Sequence, residues 1–101
     1  MKLAVSGFEW DTGNASKCEK HGLSRSEIEE VFKGEFQVVF DLKHSRVEDR
    51  FVAVGYHPAR RPMLVVFSLR EREGGVFIRP ISARFMHDRE LEKYEKTYPK
   101  A

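Results

Sequence analysis

Glu48, Arg50, Arg70 and Arg79 are the side chains of this 101-residue chain best suited to do chemistry together. A carboxylate can take up a proton, and fixed guanidinium groups can hold a phosphate while it passes through a pentacoordinate state. That combination suits attack of a ribose 2′-hydroxyl on the adjacent phosphate. Glu48 would be the base, and Arg50, Arg70 and Arg79 the phosphate clamps. The departing 5′ oxygen also needs a proton donor, which His21, Lys20 or an arginine could supply. Each group has a plain structural use as well. Glu48 and Arg50 could form a surface cross-strand ion pair worth ~0.2–1 kcal/mol. Arg79 could be paired to a carboxylate inside its strand. His21, just before Gly22, could sit favourably at a helix C-terminus.

The elements that must position these groups can be read from periodicity. Asp11 or Thr12 can cap a short helix through Ala15 and Cys18, closed by Gly22 as a left-handed residue. Ser24 and Glu27 have capping-box spacing, and Ile28, Val31 and Phe32 give the second helix one apolar stripe. From Phe36 the period changes to that of strands. "FQVVFDL", "EDRFVAVGYH", "MLVVFSLR" and "VFIRPISAR" are four candidates, separated by turns that include "HPARRP" and "EREGG". The third is apolar enough to be covered on both faces. In the fourth, Phe77, Arg79, Ile81 and Ala83 should share a side, while Pro80 calls for an edge or a bulge. "HDRELEKYEKTY" reads as a last helix with Leu91, Tyr94 and Tyr98 along one side. The expected fold is α+β: two short N-terminal helices, a four-stranded antiparallel sheet and a C-terminal helix, in the order ααββββα. Hairpin pairing then brings Arg70 close to Arg79 and places Glu48 and Arg50 at the same end of the sheet.

Length allows one domain spanning residues 1–101. Apolar residues make up 41% of the chain, so a packed globule is expected rather than a disordered segment. No apolar run is long enough to span a bilayer and no signal-peptide pattern follows Met1, which points to a cytoplasmic protein. One cysteine, Cys18, rules out a disulfide framework, and the four histidines are too scattered for a metal site, so no metal and no cofactor are expected. The charge is unevenly spread. Residues 1–42 hold five Lys/Arg against eight Asp/Glu, whereas residues 43–84 hold nine against four. Nine of the ten arginines lie from Arg46 to Arg89, which leans toward an anionic partner.

Three ordered blocks carry a resemblance. "FEWD…KHGLS" (residues 8–24), "DLKHSRVEDRFVAVG" (41–55) and "IRPISARFMHDRELEKYE" (78–95) resemble the BrnT toxins of type II toxin–antitoxin pairs. The resemblance implies a RelE-like fold, RNA cleavage, and neutralisation by a BrnA-like ribbon-helix-helix antitoxin that alone contacts operator DNA. It also implies a set of recurring polar positions: Lys20 and His21, His44 and Ser45, Glu48 and Arg50, Arg70, Arg79, and Ser82 with Arg84. Of these, Lys20, His44, Ser82 and Arg84 would contact RNA. Thr12 and Asn14 stand where many members have proline and lysine, so no site residue is carried onto the body of the first helix.

Overall fold

Asp11 opens the first helix by a reciprocal cap. Its side chain accepts from the Asn14 backbone N–H at 3.1 Å, and Asn14 Oδ1 accepts from the Asp11 N–H at 2.7 Å. Two donors that a helix start leaves orphaned are thereby satisfied. In a computed structural model describing residues 4–40 and 48–97, this helix, α1, is Thr12–Glu19. Gly22 closes the segment at φ +80°, and its N–H reaches the Glu19 carbonyl. Ser24 and Glu27 form the second box, opening α2 at Arg25–Val31.

The sheet differs from the expected one. It has five strands rather than four and is mixed rather than antiparallel. Strand β1 (Gly7–Phe8) pairs parallel with β5 (Gly75–Phe85), which pairs antiparallel with β4 (Pro62–Arg72). Then follow β3 (Phe51–Tyr56) and β2 (Gln37–Phe40), giving the order β1-β5-β4-β3-β2. The element order is therefore βααββββα, ending in α3 (Asp88–Thr97). A two-residue strand has no alternation to detect. It exists because the outer edge of β5 offers carbonyls, taken by Ser6 N–H at 2.7 Å and Glu9 N–H at 2.8 Å.

Helices α1 and α2 cover one face of the sheet. Leu23, Ile28 and Val31 meet Ala53, Met63, Val65, Phe67, Ile78 and Ala83 in a single core. Phe32 sits edge-on to Phe8, Phe36 and Phe67, with ring centroids 5.2–5.6 Å apart, a geometry that adds to area burial. Gly55 lets α2 approach this closely: a Cβ there would come within 2.8 Å of Val31 Cγ1. On β4, Met63, Val65 and Phe67 are buried, but Leu64 and Val66 are only half-buried. The expectation of two covered faces thus holds fully for one of them.

Pro80 marks a bulge, and it stands on the outer side of β5 where the described β1 pairs have ended, so both expectations for it hold. Val66 pairs with Ser82 and Phe67 with Pro80, so Ile81 is the extra residue. A bulge inverts the alternation beyond it. Ile78 and Pro80 are buried before it and Ala83 after it. Ala83 therefore leaves the side of Arg79 on which the strand period had placed it, and Ser82 and Arg84 take that side instead.

Helix α3 has no buried residue. Arg84 holds it, with both terminal nitrogens 2.6 Å from the two Glu90 oxygens. The Glu90 carboxylate also accepts the His87 N–H at 2.9 Å. Leu91 and Tyr94 face Val54, Tyr56 and Pro62 across a shallow groove, where the Tyr94 hydroxyl donates to Gln37. Tyr98, expected on the same side, lies outside the described residues. The Arg84 guanidinium, followed by the His87 N–H, pulls the Glu90 carboxyl down from its ordinary 4.5 to about 2. A depressed carboxyl contributes stability above pH 4.5 and loses it as pH falls toward 2. Both side chains are about a third exposed, so the contribution is ~1 kcal/mol or less. Glu90→Gln should lower Tm by ~4 °C at pH 7 and converge with the parent near pH 2, as thermal melts across that range would show.

Candidate active site

The cap that starts α1 also positions the first charge pair. Asp11 uses Oδ1 for the Asn14 N–H, which leaves Oδ2 2.9 Å from Arg79 Nη1. Glu9, at the end of the β1 pairing, puts Oε1 3.3 Å from the same nitrogen and Oε2 3.0 Å from Arg72 Nε. Arg79 is only 18% exposed, so its charge is matched where it would otherwise cost most. The hydrogen bond from Arg79 is the largest cause holding the Asp11 carboxyl below its usual range, and Asp11 in turn raises Arg79. Both effects mean that the pair is ionised.

Asn14 fixes the helix to the strand. It is 4% exposed, and its Nδ2 donates to the Glu9 carbonyl at 3.0 Å and the Pro80 carbonyl at 2.8 Å. The described β1 pairs end at Ile78, so α1 takes over the β5 edge at the point where the sheet partner stops. This docking carries Lys17, one turn further along α1, to the same place.

From the other side comes Glu48, two residues ahead of Arg50 and just before β3. Its Oε1 lies 3.2 Å from Arg70 Nη2, with both side chains about a third exposed. Among the described residues, Arg70 Nε and the hydroxyl of Ser68 are buried with no hydrogen-bond partner. Ser68 stands directly opposite Arg79 in the β4–β5 register. Unpaired buried donors of this kind are a cost that a bound acceptor could offset.

These pieces enclose one open cavity of about 260 Å³, walled by Gly13, Asn14 and Lys17 of α1, Glu48 and Arg50, Arg70, and Arg79 with Ile81. Glu48, Arg50, Arg70 and Arg79, the residues singled out from sequence as a set, all reach it. Others do not. Lys20 and His21 are exposed beyond the end of α1 and do not line the cavity. Ser82 is half-buried opposite Val66, and Arg84 is engaged with α3. His44 and Ser45 lie outside the described residues. His57 is also elsewhere: its Nδ1 accepts the Ala59 N–H at 2.9 Å, so Nε2 donates to Glu27 and ties α2 to the β3–β4 turn. Hydrogen bonds from the Ser24 backbone, then from His57, lower the Glu27 carboxyl to about 2.

Lys17 and Asn14 line the cavity, and Glu9 and Asp11 pair with its Arg79, none of which was anticipated. The available signal was the Asp11–Asn14–Lys17 spacing of three, which puts one helix face in register with its own cap. Among the described residues no three His, Cys, Asp or Glu side chains gather as a metal site would require. No helix among them is long and apolar enough to cross a membrane.

No curated protein matches the chain. A family model does: residues 10–90 match the family described as the ribonuclease toxin BrnT of type II toxin–antitoxin systems. That span includes every cavity residue and stops inside α3. The chain belongs to the BrnT family of ribonuclease toxins, whose type II systems pair each toxin with an antitoxin.

Proposed function

We propose that this toxin cuts RNA within the cavity by attack of a 2′-hydroxyl on the adjacent phosphate, without a metal ion. The observation that carries this is convergence. Glu48, Arg50, Arg70 and Arg79 come from three separate chain segments, yet they line one small concavity. Glu48 takes the 2′-hydroxyl proton, and Arg70, 3.2 Å away, orients its carboxylate. Arg50 and Arg79 face the phosphate. Glu9 and Asp11 both meet Nη1 of Arg79, and a guanidinium carries five N–H donors, so several remain for phosphate oxygens. Fixed donors of this kind stabilise the extra charge of the phosphorane because they need no reorganisation as it develops. The products are a 2′,3′-cyclic phosphate and a 5′-hydroxyl.

The neutralising partner in this proposal is a BrnA-like ribbon-helix-helix protein, and operator DNA is contacted only through it. Family membership supports an antitoxin, and the arginine-rich residues 43–84 support an anionic substrate. One observation favours an alternative, a toxin-derived chain that binds its antitoxin without cutting RNA: Arg70 and Arg79 already contact three carboxylates. Inducing the chain alone separates the two. Growth arrest with fragmented RNA, relieved by co-expressing the adjacent reading frame, is the result expected of a nuclease. Normal growth with intact RNA would contradict it.

A further inference from the structure

The cavity contains a cation whose position differs in kind from that of its arginines. Lys17 stands on α1, along the outer edge of β5. Strand order sets the sequence of groups across the site. Lys17 comes first, then Arg79 on β5, then Arg70 on β4, then Glu48 at the entry to β3. The Glu48 carboxylate and the Lys17 ammonium are thus on opposite flanks, with Arg79 and Arg70 between them and Arg50 on the Glu48 segment. In-line displacement at phosphorus requires this arrangement: attacking and leaving oxygens lie on opposite sides of the phosphorus, and the charge develops in the middle.

Lys17 also differs in how its charge is engaged. Arg70 is bonded to Glu48, and Arg79 to Glu9 and Asp11. Among the described residues Lys17 has no carboxylate partner, and its side chain is exposed at the cavity wall. Arginine is effectively never deprotonated in proteins, whereas a lysine ammonium can give up a proton. Lys20 and His21, the donors that sequence suggested, lie off the cavity.

Building on the ribonuclease reading, we propose that Lys17 is the general acid that protonates the leaving 5′ oxygen. The 2′-O–H bond breaks and its proton passes to Glu48. The 2′-oxygen forms a bond to phosphorus, and the bond from phosphorus to the 5′ oxygen breaks. The electron pair stays on that oxygen, which takes a proton from Lys17 Nζ. A neutral amine and a protonated carboxyl remain, and both exchange protons with water. No other reactant is needed.

The test uses the purified full chain and an oligoribonucleotide carrying one site that the parent cuts. It is made twice, once with the natural 5′ oxygen at the scissile linkage and once with sulfur there. Sulfur leaves as a thiolate and needs no acid. Lys17→Ala should cut the oxygen substrate at least ~10²-fold more slowly than the parent and the sulfur substrate at about the parental rate. Lys17→Arg, which keeps the charge but donates poorly, should behave in the same way. Equal losses on both substrates would make Lys17 a phosphate contact only and overturn the proposal. An unchanged rate on the oxygen substrate would overturn it too. A parent chain that cuts neither would instead refute the ribonuclease reading beneath it.

Discussion

Arg79→Ala should reduce RNA cleavage by at least ~10²-fold, the usual cost of removing one fixed donor from a developing oxyanion. Folding should survive. Removing the guanidinium leaves Asp11 and Glu9 without a shared partner, but neither carboxylate is sealed from water. Asp11 is 56% exposed and remains the cap of α1, while Glu9 retains Arg72 at 3.0 Å. A stability loss of ~1 kcal/mol is therefore expected, a few degrees in Tm. Arg79→Lys should restore part of the stability and little of the activity, because a point charge replaces a fork that must serve carboxylates and phosphate at once. Circular dichroism, thermal melts and initial cleavage rates on one preparation separate the two effects. A chain that fails to fold without Arg79 would make it a structural partner of Glu9 and Asp11, and the clamp role would fall.

Glu48→Gln carries the other large expectation. The amide keeps an oxygen that can accept from Arg70, so the local geometry should hold, yet it cannot take up a proton. Loss of a general base costs roughly 10²–10⁴-fold. RNA binding should persist and weaken steeply with salt, since the arginines proposed as phosphate clamps remain. Single-turnover rates at saturating protein would then show the full loss. An unaltered rate would leave Glu48 as nothing more than the counter-charge of Arg70.

Features set by neighbours in sequence were legible in advance. Both helix starts were, because Asp11 or Thr12 and the Ser24–Glu27 pair sit within one turn of the groups they cap. The four longer strands and the final helix followed from periodicity, and the meeting of Glu48, Arg50, Arg70 and Arg79 followed from hairpin pairing. What escaped depends on distant partners. Strand β1 is two residues long and is defined by the β5 edge alone. Pro80 announced an irregularity, but which residue would be extra depends on β4. That choice sends Ala83 into the core and puts Ser82 and Arg84 on the side of Arg79. The place of Lys17 rests on Asn14 reaching Pro80, 66 residues away, a contact that no local pattern encodes. His21 follows α1 closely in sequence but lies beyond its docked part, off the cavity.

The most direct test is incubation of the purified chain with RNA in EDTA, followed by identification of the new ends. Fragments ending in 2′,3′-cyclic or 3′ phosphate with 5′-hydroxyl partners, formed by the parent and lost in Glu48→Gln and Arg79→Ala, are the predicted result. Intact RNA at high protein concentration, or cleavage that both variants retain, would contradict the assignment of this cavity as the ribonuclease site.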